Sequence, residues 1–121
     1  MILVRSMHSR VSLLISSVIA ASAIAASPEA VHLDDALRRH LLATAPMPDY
    51  PYEMRRHGVE GRGIFELFFD YDSGHLHEVK VVKSTGSPML DGYAIGALKL
   101  WKAKPHAVSA VVVPVTFSMR R

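Results

Sequence analysis

Three segments of this chain place apolar residues at every second position, as β-strands with one buried face do. The predicted strands cover residues 62–71, 75–83 and 111–119. In the second of them the alternation breaks between Leu76 and Val79, which indicates a β-bulge. The residues at 70–74, Asp-Tyr-Asp-Ser-Gly, are typical of a turn and join the first two strands into a hairpin.

Helical periodicity is found in other parts of the chain. Ser87 and Pro88 suit the N-cap and first position of a helix, and the residues after them place one apolar stripe on its surface. The stripe consists of Leu90, Ala94, Ala97, Leu98 and Trp101, and Trp101 is expected in the core. Leucines at 33, 37 and 41 predict a short amphipathic helix over residues 29–43. One or two helical turns are predicted at residues 52–57, with Gly58 as a left-handed cap.

The order of these elements predicts an α+β fold, in which two helices pack on one face of a three-stranded antiparallel sheet. Pro114 cannot donate a hydrogen bond to a neighbouring strand, so the last strand is expected at an edge of the sheet. N–H directions alternate along a strand. The N–H groups of Val112 and Thr116 should therefore point outward, on the side of the Pro114 nitrogen.

The first 26 residues have the composition of a secretory signal peptide. Arg5 and Arg10 precede an apolar stretch at 11–26, which ends in the small-residue pattern Ala-Ile-Ala-Ala. The stretch contains 16 residues, four of them serine, whereas a membrane span needs about 20 strongly apolar residues. We therefore expect cleavage and export from the cytoplasm. An uncleaved membrane anchor is the alternative.

The predicted division of the chain is a signal peptide at 1–26, a short amphipathic helical lead-in at 27–45 and one small domain at 46–121. Prolines at 46, 48 and 51 hold the start of the domain in extended or turning conformations. The lead-in is expected to pack on the domain, and a helix that binds a partner is the alternative interpretation.

Charge and composition narrow the classes of function. The formal net charge is +3, but loss of Arg5 and Arg10 with the signal peptide leaves 12 basic and 11 acidic side chains. A mature charge of +1 does not indicate a nucleic-acid-binding surface. The chain has no cysteine, which excludes disulfides, a thiolate nucleophile, cysteine-bound zinc and a lipid-modified cysteine.

The sequence contains only weak signals of a metal site or a catalytic site. His75 and His77 project to one side of a strand, but no third ligand follows at a diagnostic spacing, so no metal site is predicted. The turn that begins at Asp70 resembles the start of a calcium loop, yet its twelfth position is Val81 where such loops have glutamate. No nucleophile motif or phosphate-binding loop occurs. The prediction is therefore a protein that is not an enzyme and holds no cofactor.

The spacing of several short motifs resembles the TonB C-terminal domain family. The first motif contains Pro48, Tyr50, Pro51, Arg55, Gly58, Glu60 and Gly61. The second runs from Ser84-Thr85-Gly86-Ser87 through Leu90-Asp91 to Trp101 and Pro105, and the last is Val113-Pro114-Val115-Thr116-Phe117. The resemblance covers residues 46–119, and it implies the same fold of two helices on a three-stranded antiparallel sheet.

The resemblance also implies a mode of binding. Domains of this family lie in the periplasm and grip a short segment of an outer-membrane receptor, which adds as a strand beside the last strand of the domain. Val112, Pro114 and Thr116 would then present the edge. Tyr50 and Pro51 would flank the bound segment, although Tyr50 packed on the core is the alternative. Arg55 is a candidate to meet an acidic partner segment, and a solvated surface is the competing interpretation.

The resemblance leads to two hypotheses of function. The first is a periplasmic adaptor that binds outer-membrane transporters, works with inner-membrane motor proteins and supports energy-dependent uptake of iron chelates or similar nutrients. The second is a periplasmic scaffold or protein-interaction module with no role in energy transduction. No long proline-rich spacer precedes the domain, and Met47 stands where the family often has glutamine. A homodimer and attachment to the periplasmic side of the inner membrane both remain open.

Overall fold

The protein is described by a computed structural model that covers residues 29–119. The strands are β1 (Val31–His32), β2 (Leu42–Thr44), β3 (Gly61–Phe69), β4 (Leu76–Lys83), β5 (Lys102–Ala103) and β6 (Ala110–Phe117). The helices are α1 (Leu33–Arg38), α2 (Tyr52–Arg56) and α3 (Pro88–Leu98). The predicted signal peptide at 1–26 lies outside the described residues. None of the helices among the described residues is long and apolar enough to cross a membrane.

The main sheet has the strand order β1-β6-β3-β4. Its centre is β3, which pairs antiparallel with β6 from Gly61↔Phe117 to Phe68↔Ala110 and antiparallel with β4 on its other side. These three strands and their order agree with the predicted antiparallel sheet. The α+β fold class is confirmed.

The pairing of β3 with β4 contains the predicted bulge. Phe68 lies opposite Glu78 and Phe69 lies opposite Leu76, so His77 is an extra residue in β4. A second irregularity lies between Val81 and Lys83, because Val81 pairs with Phe65 and Lys83 pairs with Ile64. The first bulge places Leu76 and Val79 on the same side of the sheet as Phe69 and Leu67, and both pack against the core.

The helix α3 begins as its sequence predicts. The Ser87 hydroxyl accepts a hydrogen bond from the Leu90 amide at 3.3 Å, and Pro88 takes the first helical position. The stripe of α3 packs on the sheet and builds the core. Its buried members are Leu90, Ala94 and Leu98. Together with Trp101, which follows the helix, they form one core with Phe65, Leu67 and Phe69 of β3 and Val111, Val113, Val115 and Phe117 of β6.

The lead-in differs from the single helix predicted over residues 29–43. It consists of β1, the six-residue α1 and then β2, which pairs with β5 in a separate two-stranded ribbon. The helix ends early because the amides of His40 and Leu41 donate to the carbonyls of Leu37 and Ala36, with His40 in a left-handed conformation (φ 57°). Leu33 and Ala36 of α1 are buried in the core.

One further feature differs from the expected architecture. The main sheet has a fourth strand because β1 runs parallel to β6, with Val31 beside Val111 and His32 beside Val112. The three helices of the described residues lie where helical segments were predicted, although α1 and α2 are both short. Two or three residues of strand are too few to establish a period, so β1, β2 and β5 leave no hydrophobic pattern in the sequence.

Candidate protein-binding edge

The backbone N–H and C=O groups of β6 alternate between the side that faces β3 and the side that faces away from it. In its antiparallel ladder with β3, Pro114 lies opposite Ile64 and has no N–H to donate. Hydrogen-bonded and non-hydrogen-bonded pairs alternate in such a ladder, so Val112 and Thr116 share the orientation of Pro114. The N–H and C=O groups of Val112 and Thr116 therefore point away from β3, as predicted from the sequence.

The start of this edge is occupied by the chain itself. The parallel strand β1 lies against Val111 and Val112, so Val112 does not offer the open edge that was predicted for it. The prediction of a wholly open last strand is therefore wrong for this part of β6. From Val113 to Phe117, no strand among the described residues pairs with β6 on the side away from β3.

The side chains of β6 alternate between core and solvent along this open stretch. Val113, Val115 and Phe117 are buried, whereas Pro114 and Thr116 are exposed. The buried residues fix the strand on the core, and the exposed pair faces the opposite side of the sheet. Arg62 of β3 lies beside Thr116 on that side and is also exposed. A strand added at this edge would therefore find a fixed backbone template and a cation near one end.

Tyr50 lies near the end of β6 and is held by two contacts. Its hydroxyl donates a 2.5 Å hydrogen bond to the Val59 carbonyl, and its ring meets the ring of Phe117 edge to face at 5.6 Å between centroids. The ring is half-buried. These contacts match the alternative interpretation, in which Tyr50 packs on the core, and they also place the Tyr50 ring beside the last residue of the open stretch.

Pro51 and Arg55 belong to the neighbouring helix α2. Pro51 is its N-cap residue, and exposed Arg55 has its guanidinium carbon 5.9 Å from the centroid of the Tyr52 ring. Of the six predicted site residues, the structure thus brings Tyr50, Pro114 and Thr116 to the open part of the edge. Val112 is paired with β1, and Pro51 and Arg55 belong to the N-cap and the surface of α2.

The motif around Ser84 and Asp91 has a structural role. One carboxylate oxygen of Asp91 accepts hydrogen bonds from the Thr85 amide at 2.9 Å and the Thr85 hydroxyl at 2.6 Å, and the other accepts from the Ser84 hydroxyl at 2.5 Å. Partial burial acts to raise the pKa of Asp91, but the hydrogen bonds from Ser84 and Thr85 outweigh it and lower the pKa below the ordinary value. This network ties the β4–α3 connection to the first turn of α3.

Two glycines at the start of β3 lie against the same connection. A Cβ atom on Gly61 would lie 2.4 Å from the Thr85 carbonyl oxygen, and one on Gly63 would lie 2.9 Å from the Thr85 methyl carbon. Only glycine therefore lets β3 pass this close to Thr85. Gly61 of the first motif thus meets Thr85 of the second motif, and both motifs specify the fold.

The side chains considered as metal ligands in the sequence do not form one site among the described residues. No group of three or more metal-binding side chains is found within residues 29–119. The His77 ring lies 6.2 Å from that of Phe68. Asp70 belongs to a turn in which the Ser73 hydroxyl donates to its carboxylate at 2.7 Å, and that hydrogen bond helps to hold the pKa of Asp70 below its ordinary value.

Sequence reasoning missed two features of the sheet. One is β1, whose only signal is the β-branched residue Val31, which lies between Ala30 and His32. The other is Glu66, which is fully buried on the face of the sheet opposite the helices, between Lys80 of β4 and Val112 of β6 in the ladder. The opposite charges of Glu66 and Lys80 across a strand pair were the available signal.

Comparison with known proteins agrees with this fold. Residues 46–120 match the family model of the Gram-negative bacterial TonB protein C-terminal. The protein TonB of Vibrio cholerae is 32% identical over 73 residues, which are 60% of this chain and 30% of that protein. The chain therefore matches less than a third of the length of this relative.

A solved structure has the same fold. The solution NMR structure of the TonB CTD of Pseudomonas aeruginosa superposes with a TM-score of 0.56 and covers 66% of this chain and 86% of its own. The sequence identity is 21%, so the likeness concerns the arrangement of the backbone.

Proposed function

Because this chain belongs to the Gram-negative bacterial TonB protein C-terminal family, we propose that it binds an extended segment of an outer-membrane transporter as an added strand beside β6. The segment pairs with the open stretch from Val113 to Phe117, where backbone groups supply the affinity. The observation that carries the proposal is the outward orientation of Pro114 and Thr116 on a part of β6 that β1 does not cover.

The surroundings of the open stretch supply selectivity in this proposal. Side chains of an added strand alternate between the two faces of the sheet. Those on the core side meet the Tyr50 ring, which lies against Phe117, and those on the other side pass Pro114, Thr116 and Arg62. An acidic residue of the guest next to Thr116 is favoured by Arg62, which is exposed beside it. Arg55, on α2, contributes at longer range.

The biological role proposed on this basis is support of energy-dependent transport across the outer membrane. The domain acts in the periplasm, as a cleaved product or, alternatively, attached to the inner membrane, and it works with inner-membrane motor proteins. The work of the domain is binding and needs no catalytic group or cofactor. Signal-peptide cleavage belongs to this proposal, and the mature protein from its native host should begin between Ile24 and Ser27.

The alternative role is a periplasmic scaffold that uses the same edge for another envelope protein. A pull-down from envelope extract with the purified domain distinguishes the two roles. Recovery of outer-membrane transporters together with motor subunits supports the proposed role in transport. Recovery of other envelope proteins with neither of these supports the scaffold, and intact residues 1–20 on membrane-bound protein would replace cleavage by anchoring.

A further inference from the structure

The strand β1 lies on the same edge of β6 at which the guest is proposed to bind. We infer that β1 is an intramolecular competitor that holds the start of this edge and is displaced when a guest strand pairs along its full length. This inference rests on the proposed function, and it concerns the regulation of that site. It follows from the register of β1, the small number of open backbone groups and the weak attachment of β1.

The register shows which groups β1 withholds. In a parallel ladder, a residue whose N–H and C=O point to the neighbouring strand lies beside a residue whose groups point away. Val112 points its groups outward and lies beside His32, so the groups of β1 that meet β6 belong to Val31 and to the residue after His32. The outward N–H of Val112 is thus taken by Val31 of β1, and its outward C=O is taken by Leu33, the first residue of α1.

The stretch that remains offers little to a guest. Of its residues, Pro114 has only an outward C=O, and Thr116 has an outward N–H and an outward C=O. A backbone hydrogen bond gives a net factor of about two to ten in affinity. With β1 in place, a guest is therefore held by about as few backbone bonds as β1 itself, and departure of Val31 would add the N–H of Val112 to the groups that a guest can bind.

The attachment of β1 suits displacement. It consists of two residues, of which Val31 is half-buried and His32 is exposed, whereas β3 pairs with β6 over the whole length of that strand. The buried residues of the lead-in are Leu33 and Ala36 of α1, which follow β1, whereas Val31 packs only partly against the core. The two residues of β1 can leave the edge while α1 keeps its place, because the core loses only the partial burial of Val31.

Proline substitutions distinguish release of β1 from a general change in the lead-in. Val31→Pro removes an N–H that points to β6, whereas the N–H of His32 points away and its φ of −71° already suits proline. Binding is measured by isothermal titration with synthetic ten-residue peptides from the periplasmic segments of outer-membrane transporters of the same envelope. We expect several-fold tighter binding by Val31→Pro and wild-type affinity for His32→Pro.

A reversible cross-link tests the opposite change, in which β1 is held on β6, within a single variant. The chain has no cysteine, and His32 and Val112 lie on neighbouring strands about 4.8 Å apart, within the Cα range of a disulfide. The double variant His32→Cys, Val112→Cys should bind the peptides several-fold more weakly when oxidised than when reduced. Because both states contain the same substitutions, a folding defect would affect them equally.

The outcomes separate this inference from the proposed function. Peptide binding at β6 with equal affinity for the oxidised and reduced forms, and no gain in Val31→Pro, would overturn the competitor role of β1 and leave the proposed site intact. If no peptide binds β6 in wild type, in Val31→Pro or in the reduced variant, then the proposed function itself fails. Weaker binding by Val31→Pro would assign β1 to the guest site as a support and also overturn the inference.

Discussion

Asp91 is bound to Thr85 through both the backbone and the side chain of that residue, with the Thr85 amide and hydroxyl donating to one carboxylate oxygen. This pair fixes the connection between β4 and α3. Because Gly61 and Gly63 pass directly against Thr85, the same contact also positions β3. The segments that identify the family are therefore those that hold the helix on the sheet.

The first prediction concerns the stability of this network. Asp91→Ala leaves the Thr85 amide and hydroxyl without their acceptor, and hydrogen bonds to a charged group contribute about 1.5–3 kcal/mol each. Since Asp91 is only partly buried, we expect a loss of about 2 kcal/mol in the free energy of unfolding. Urea denaturation of wild type and of Asp91→Ala measures it, and a difference below about 0.5 kcal/mol would show that solvent replaces the network.

The pH dependence of the same pair has a definite sign. The folded pKa of Asp91 lies below its unfolded value, so its stabilising effect is complete above the unfolded pKa of about 3.9 and is lost as the pH falls through the folded pKa. The stability difference between wild type and Asp91→Asn should therefore be constant at neutral pH and shrink in acid. A difference that grows below pH 4 would contradict the lowered pKa.

The second prediction concerns Trp101, which is buried and donates from its indole nitrogen to the Pro46 carbonyl at 2.7 Å. Trp101→Ala removes a buried ring and should cost about 3–5 kcal/mol. Trp101→Phe keeps most of the packing but removes the donor, and a loss of about 1–2 kcal/mol is expected. Thermal unfolding in which Trp101→Phe is as unstable as Trp101→Ala would show that the hydrogen bond contributes more than the packing of the ring.

The third prediction uses two glycines in different surroundings. Gly61→Ala places a Cβ 2.4 Å from the Thr85 carbonyl oxygen, so β3 or the Thr85 loop must shift and the protein should lose at least about 2 kcal/mol of stability. Gly96 is in α3, and a Cβ there meets no atom within 4 Å. Gly96→Ala should stabilise by up to about 1 kcal/mol through helix propensity. Equal effects of the two substitutions on the melting temperature would contradict the close approach of Gly61 to Thr85.

The elements that could be predicted from the sequence are those long enough to show a hydrophobic period or marked by a recognised helix cap. Both the hairpin of β3 and β4 and the cap of α3 have such signals. Helices α1 and α2 end with the same pair of backbone hydrogen bonds, yet only α2 has glycine in the left-handed position, Gly58, where α1 has His40. The end of α2 was therefore predictable, and the leucine spacing extended α1 beyond its true end.

The candidate site was predictable in part for a related reason. Pro114 indicates an edge strand, because proline cannot donate a hydrogen bond within a ladder. That Thr116 has the same orientation follows from the two-residue period of a strand. The pairing of β1 with Val112 joins residues far apart in the sequence through two positions only. A contact of this kind depends on where α1 packs, which no local pattern contains.

The fourth prediction concerns the open stretch of β6. Thr116→Pro removes an N–H that points away from β3, so it should spare the fold and weaken peptide binding, whereas Thr116→Ala keeps that N–H and should bind nearly as wild type. Val115→Pro removes an N–H that points to β3 and should unfold the sheet. Circular dichroism and peptide titration of the three variants check this, and folded Val115→Pro protein with normal melting would contradict the assigned directions.

The most direct test of the binding edge is amide chemical-shift mapping of the ¹⁵N-labelled domain with candidate transporter peptides. The proposed mode predicts the largest shifts from Val113 to Phe117, with smaller shifts at Val31 and Val112 as β1 is displaced. Residues of β4, which lie on the other side of β3, should change little. Shifts centred on residues 75–83 with residues 111–119 unchanged would contradict strand addition at β6.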